Sequence, residues 1–144
     1  MTHIYVSRVI DSGVDDVWAA SRDFTGSWHS SVIHDSSIED GRPSDQVGCV
    51  REFGLADGGR IREVLVGLSD ERHEFSYRIL DSPLPVSDYH SNARFSPVTV
   101  SGQTFGEWWV DFAVPAAEED ATVDLVRGVF EGGLADLAEL TERT

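Results

Sequence analysis

The sequence predicts an α+β domain: one seven-stranded antiparallel sheet, two short helices after the first strand, and a long C-terminal helix that covers the sheet. Three observations lead there. The 144 residues fit a single domain, residues 1–144. Segments of β-branched and aromatic residues follow one another between Gly, Pro and Asp turns. The apolar period then changes once, late in the chain, from two to that of a helix.

The elements follow in order. Ile4 to Ile10 (IYVSRVI) reads as a strand. Ser12 with Asp15 three residues later is a helix-start signature, and Val14, Val17 and Trp18 follow at helical spacing, so a short helix is expected near 14 to 21. Asp23 to His29 (DFTGSWH) reads as a second, Gly-interrupted helical turn, and Val32 to Glu39 as a strand. Asp40-Gly41-Arg42-Pro43 is a turn. Gly48 to Leu55 and Arg60 to Leu68 are strands joined by a hairpin at Asp57-Gly58-Gly59. In His73 to Leu80, Phe75, Tyr77 and Ile79 share one face. Pro83 and Pro85 break the ladder. Ser87 to Phe95 resumes it with Tyr89, Ser91, Ala93 and Phe95 on one face, and Thr104 to Val114 ends it with Trp108, Val110, Phe112 and Val114. From Glu118 to Glu142, Val126, Val129, Phe130, Leu134, Leu137, Ala138 and Thr141 recur at three- and four-residue steps. That is one amphipathic helix of about seven turns, with acids at its start where the helix dipole favours them. The sheet has one face to bury and this helix is the only large element able to cover it, which makes a cavity between them a natural result.

Composition narrows the function. Twenty-six acids against eleven bases give a net charge of −15, which repels phosphate backbones and anionic membrane surfaces, so neither nucleic acid nor membrane is expected as a partner. All eleven bases are Arg. With no Lys, Schiff-base chemistry on a side-chain amine and a P-loop are excluded; the bias matches a GC-rich bacterial genome. Cys49 stands alone, which excludes an intramolecular disulfide and multi-cysteine zinc motifs. No apolar stretch approaches ~20 residues, and the chain opens on a strand pattern without a signal core, so a cytoplasmic location is expected.

The opening IYVSRVIDSGVDDVWAASRDF, the central block GGRIREVLVGLSDERHEFSYRILDSPLPVSDYHSNARF and the tail VRGVFEGGLADLAELTER together resemble the polyketide cyclase/dehydrase branch of the START-like (SRPBCC) superfamily. The resemblance covers nearly the whole chain as a diffuse pattern rather than one sharp motif. It implies the helix-grip fold, a seven-stranded antiparallel sheet gripping a long C-terminal helix around an apolar ligand cavity. The pocket pattern is also similar to that of the plant abscisic acid receptors from Glu63 to Ser91. There it implies pocket positions for Glu63, Tyr77, Tyr89 and Ser91, and a pocket cation's place for His34. The receptors' gate would fall at Leu55 to Gly59 and their latch at Leu84-Pro85-Val86, but neither motif is present, so their phosphatase partnership and hormone specificity are not implied.

The candidate site residues are weighed on their chemistry. Glu63 shares a face with Ile61 and Leu65, and Arg62, Val64 and Val66 oppose them; both faces carry apolar residues, and only the resemblance turns Glu63 inward. A carboxylate in an apolar cavity would be pushed toward the range useful for proton transfer; the alternative is a surface Glu or one paired with an Arg such as Arg51. His34 is a candidate proton carrier or else a solvent-facing residue beside Asp35, and His29 could serve instead. A His29/His34 metal site lacks a third ligand, and no metal is expected. Tyr89 and Tyr77 would offer hydroxyls to a ligand carbonyl or else pack in the core. Phe53, Leu55, Ile79, Ser91, Trp108, Val110, Leu125 and Val129 are expected ligand-binding residues, with Phe75, Phe95 and Phe112 in the same wall or core. Gly133, after Gly132, leaves room for a ligand or permits close helix–sheet packing. Cys49 has no evident base and no nucleophile-elbow motif frames any Ser.

Two functions fit. The first is a cyclase, dehydratase or isomerase, a lyase- or isomerase-type enzyme without cofactor, acting on a hydrophobic polyketide-like or polycyclic molecule through Glu63, His34 and Tyr89. The second is a non-catalytic binder, carrier or sensor of a hydrophobic metabolite. In either, the partner is a hydrophobic small molecule and the protein a monomer or homodimer. A vestigial cavity in an interaction domain is a minor third.

Overall fold

Thr2–Ile10 forms β1 in the computed structural model, which describes residues 1–142. α1 spans Val14–Ser21. Its N-cap is Gly13, not Ser12, and no side chain caps it. Ser12 is committed elsewhere: its N–H donates to the Ile10 carbonyl, and its own carbonyl accepts from the Thr104 hydroxyl at 2.7 Å. Asp15 and Asp16 in the first turn supply the favourable charge instead.

The second helix expected over 23–29 does not form. The segment runs as linked turns, Gly26 N–H to Asp23 O and His29 N–H to Gly26 O. Two local forces oppose a helix. The Asp23 carboxylate takes both the N–H and the hydroxyl of Thr25, and Gly26 lies at φ +70°. A Cβ on Gly26 would stand 2.9 Å from Ile33 and 3.1 Å from the Arg51 guanidinium, so the turn rests directly on Arg51.

The remaining strands are β2 His34–Ile38, β3 Val50–Gly54, β4 Arg60–Ser69, β5 Glu74–Asp81, β6 Ser87–Val98 and β7 Gln103–Ala113. Short 3₁₀ turns lie at Glu39–Gly41 and Ala116–Glu118, and α2 spans Glu119–Thr141. The seven strands form one antiparallel sheet in the order β1-β7-β6-β5-β4-β3-β2. The hairpin between β3 and β4 closes with the Leu55 N–H on the Gly59 carbonyl at 2.8 Å, and its register sets Arg51 directly opposite Glu63.

Burial settles which face is inner. Ile61, Glu63 and Leu65 point inward while Val66 is exposed. Phe75 and Tyr77 of β5, Tyr89, Ser91, Ala93 and Phe95 of β6, and Trp108, Val110 and Phe112 of β7 join them. α2 lays Val126, Phe130, Leu134, Leu137 and Ala138 against this face. The contact is fixed by Phe130, whose ring stacks on Trp108 at 4.4 Å between centroids and 8° between planes. No helix among the described residues is long and apolar enough to cross a membrane.

Candidate functional site: a polar-ended cavity between sheet and helix

Between the inner face of the sheet and α2 the packing leaves a cavity of about 50 Å3. Its walls are apolar: Phe53, Ile61 and Ile79 from the strands, Leu125, Val126, Val129 and Phe130 from α2, and Val32 and Ile33 from the turns before β2. Its polar groups are few and specific: Arg51, Glu63, His29, Tyr77 and Tyr89. Outward, the cavity meets an open groove of about 580 Å3, and Val32, Leu55, Leu84, Leu125 and Val129 line both.

Arg51 and Glu63 form an ion pair with both side chains nearly free of solvent, 3% and 6% exposed. Nη2 and Nε of Arg51 approach Oε1 of Glu63 at 2.7 and 2.8 Å. Nη1 donates to the Phe24 carbonyl at 3.0 Å. The guanidinium also lies over the Phe24 ring at 4.1 Å and the Tyr77 ring at 4.9 Å, two cation–π contacts that help hold a charge out of water. Burial pushes the Glu63 carboxyl above the ordinary carboxylate range, and the neighbouring Arg51 opposes the rise.

His29 is 1% exposed. Its Nε2 lies 3.1 Å from the Val129 carbonyl. Its ring stacks on Trp28 at 5.3 Å and tilts against Trp108 at 5.5 Å. Desolvation, reinforced by the positive charge of Arg51, lowers its pKa to about 4, so the imidazole is neutral near pH 7. Tyr77 accepts a hydrogen bond from Trp108 Nε1 at 3.1 Å, and the same N–H reaches Ser91 Oγ at 3.0 Å. Burial raises the pKa of both Tyr77 and Tyr89, so both phenols stay protonated and available as donors.

The structure brings together Glu63, Tyr89, Tyr77, Phe53, Leu55, Ile79, Trp108, Leu125 and Val129 of the expected residues. Four others stand elsewhere. His34 is exposed at the start of β2, because the turns ahead of that strand fold His29 inward in its stead. Ser91 is fully buried behind the wall, its hydroxyl donating to the Trp109 carbonyl while it receives Trp108 Nε1. Val110 is sealed in the core with no solvent exposure. Gly133 serves close packing rather than ligand room: a Cβ there would sit 2.5 Å from Trp108 and 2.9 Å from His29 Nε2. Cys49 is buried and free, and burial raises its thiol. Arg51 enters the site as the ionic partner of Glu63. The signal was the hairpin at Asp57-Gly58, whose register pairs the two positions.

The family model described as polyketide cyclase/dehydrase and lipid transport matches residues 1–142. Among solved structures, a protein from Nitrosospira multiformis is similar at 27% identity and a TM-score of 0.86, covering 97% of this chain and 96% of that one. XoxI from Bacillus cereus is similar at 26% identity and 0.86, covering 99% and 97%. Norcoclaurine synthase from Thalictrum flavum, solved with dopamine and hydroxybenzaldehyde, shares the fold at 13% identity and 0.78, covering 99% and 88%.

Proposed function

Because the chain belongs to the polyketide cyclase/dehydrase and lipid transport family, a fold that binds hydrophobic ligands, we propose that it takes an apolar small molecule into its cavity and moves a proton on it, without a cofactor. The reaction class is cyclisation, dehydration or isomerisation of a carbonyl compound. The observation that carries this reading is the buried Glu63 carboxylate set in an apolar cavity wall with two phenols.

In a dehydration, the Glu63 carboxylate would take the proton from the carbon next to a ligand carbonyl. The electron pair becomes an enolate, stabilised by a hydrogen bond from the Tyr89 or Tyr77 hydroxyl. The enolate then expels a hydroxyl from the next carbon, and Glu63 returns its proton to that oxygen, so water leaves and the carboxylate is restored. Arg51 fixes Oε1 and keeps the carboxylate oriented. The cavity walls would hold a flexible chain in reactive shape, an effect that can be large.

The same Arg51–Glu63 pair supports a second reading, a carrier or sensor in which the pair is structural and the ligand leaves unchanged. One experiment separates them. Wild type and Glu63→Gln are incubated with a small-molecule extract of the native host, and free and bound fractions are resolved by liquid chromatography with mass spectrometry. The enzyme reading expects a compound altered by wild type alone. A compound retained unchanged by both proteins would establish the carrier reading and reduce Glu63 to a wall residue.

A further inference from the structure

The sheet ends in two edges, β1 and β2. An edge presents a row of unpaired N–H and C=O groups to any chain that can add to it. β2 is guarded against such pairing: it has five residues, its register shifts between His34 and Ser37, and Asp35 lies at φ +53°. β1 carries none of these guards. Its nine residues pair with β7 without a shift, and none is Gly or Pro. Among the described residues it is also the only strand without an acid, in a chain of net charge −15.

The side chains along β1 complement themselves. Met1, just ahead of the strand, Tyr5 and Val9 are 83%, 43% and 51% exposed, and their spacing puts all three on the outer face. On the opposite parity Arg8 is exposed and makes no ion pair among the described residues. Thr2, on the same parity as Arg8, donates its hydroxyl to Glu119 Oε2 at 2.6 Å. A two-fold axis through Tyr5 lays a second copy of the strand antiparallel to the first. Tyr5 then meets Tyr5, Val9 meets Met1, Val6 meets Ile4 and Ser7 meets His3. Arg8 stands opposite Thr2, with Glu119 behind it. Apolar side chains meet apolar ones, and the free cation meets an acid, twice by symmetry. Moving the axis to Val6 sets Arg8 against Ile4 and Tyr5 against Ser7, and the match is lost.

We propose that β1 is the interface of a homodimer, in which two copies pair edge to edge about Tyr5 and join their sheets. The proposal does not depend on the cavity reading, since Arg8 and Glu119 line neither the cavity nor the groove. Standard interfaces bury about 1,200–2,000 Å2, and one strand edge lies at the low end, so the dimer forms with rising concentration.

The test is sedimentation velocity on the full chain, from about 1 μM to about 1 mM, the range in which small interfaces assemble. Wild type is expected to pass from monomer to dimer. Arg8→Glu and Glu119→Arg each turn two attractions into repulsions and should weaken the dimer about tenfold. The double variant Arg8→Glu/Glu119→Arg should restore it. In a mixture of 13C-labelled and unlabelled wild type, isotope-filtered NOEs are expected between the Val6 and Ile4 methyls of different copies. A monomer throughout the range would overturn the proposal. So would a dimer indifferent to the single changes, or one that the double variant fails to restore. All of these outcomes leave the cavity reading standing.

Discussion

His29 gives the sharpest thermodynamic test. In the unfolded chain its imidazole titrates near 6.5, whereas in the fold burial and Arg51 hold it to about 4. Between those values the unfolded state binds a proton that the native state refuses. Stability therefore rises with pH through this window and is lost as pH falls through it. Each pH unit removes about 1.4 kcal/mol once the unfolded group is protonated. From pH 7 to pH 5 the loss assigned to this one residue is about 2 kcal/mol. Other groups add pH dependence of their own, with different signs. Asp23, whose burial cost is outweighed by its hydroxyl and N–H donors, keeps its stabilisation through this window and loses it only as pH falls below the ordinary aspartate range, while Glu63, raised by burial, gains stability as pH falls. The single curve is thus ambiguous, and the difference between wild type and His29→Gln is not. Urea unfolding at pH 7 and pH 5 should show the wild type losing about 2 kcal/mol more than the variant across the interval. Parallel losses in the two proteins would refute the claim that this histidine is buried neutral. So would a His29 Cε1–H proton shift in the native state that titrates near 6.5 by NMR, a readout that survives even if the variant is unstable.

Other substitutions probe the same architecture. Arg51→Met strands the buried Glu63 carboxylate and should destabilise by about 3–5 kcal/mol in urea unfolding, whereas adding Glu63→Gln to it should recover a large part of the loss. Phe130→Ala removes the ring stacked on Trp108 and opens the cavity, at about 3–5 kcal/mol in the same assay. Gly133→Ala forces a methyl against Trp108 and His29 and should cost about 1–3 kcal/mol, with a shifted tryptophan emission as the sign that these rings moved.

The strands and the long helix were legible because their periods are strong. The alternation of Phe75, Tyr77 and Ile79 and the helical recurrence of Val126, Phe130, Leu134 and Leu137 each predict the face that is buried. The second helix was misread because the Thr25 donors to Asp23 and the positive φ of Gly26 compete locally with helix formation, and periodicity does not register either. The same turns decide the histidine. A shift of a few residues in where β2 begins exchanges a solvent-facing His34 for a cavity-facing His29, and no pattern in 29–38 fixes that shift. Glu63 was ambiguous for a different reason: β4 carries apolar residues on both faces, and only the packed sheet shows that Val66 is left outside. Ser91 and Val110 have the right parity but stand behind larger neighbours, a matter of side-chain volume in three dimensions.

Volume also bears on how the site must work. The inner cavity of about 50 Å3 holds no more than a few waters, at about 10–15 Å3 of free space each. Any ligand large enough to touch both His29 and the tyrosines has to displace something. The deep walls offer little: Trp108 is pinned between Phe130 and two hydrogen bonds, and Arg51 between Glu63, Phe24 and Tyr77. The rim offers more. Leu55 and Leu84 sit on the connections after β3 and β5, and Leu125 is 45% exposed on the first half of α2. These leucines separate the inner cavity from the 580 Å3 groove outside. Turning their side chains outward merges the two spaces without breaking a backbone hydrogen bond. In the cavity reading, ligand size would therefore be limited at the rim, where leucines can give way, while the fixed inner end would present Glu63 and the phenols. A substitution at Leu84 or Leu125 should change which shapes bind, read as altered relative affinities across apolar probes of graded size.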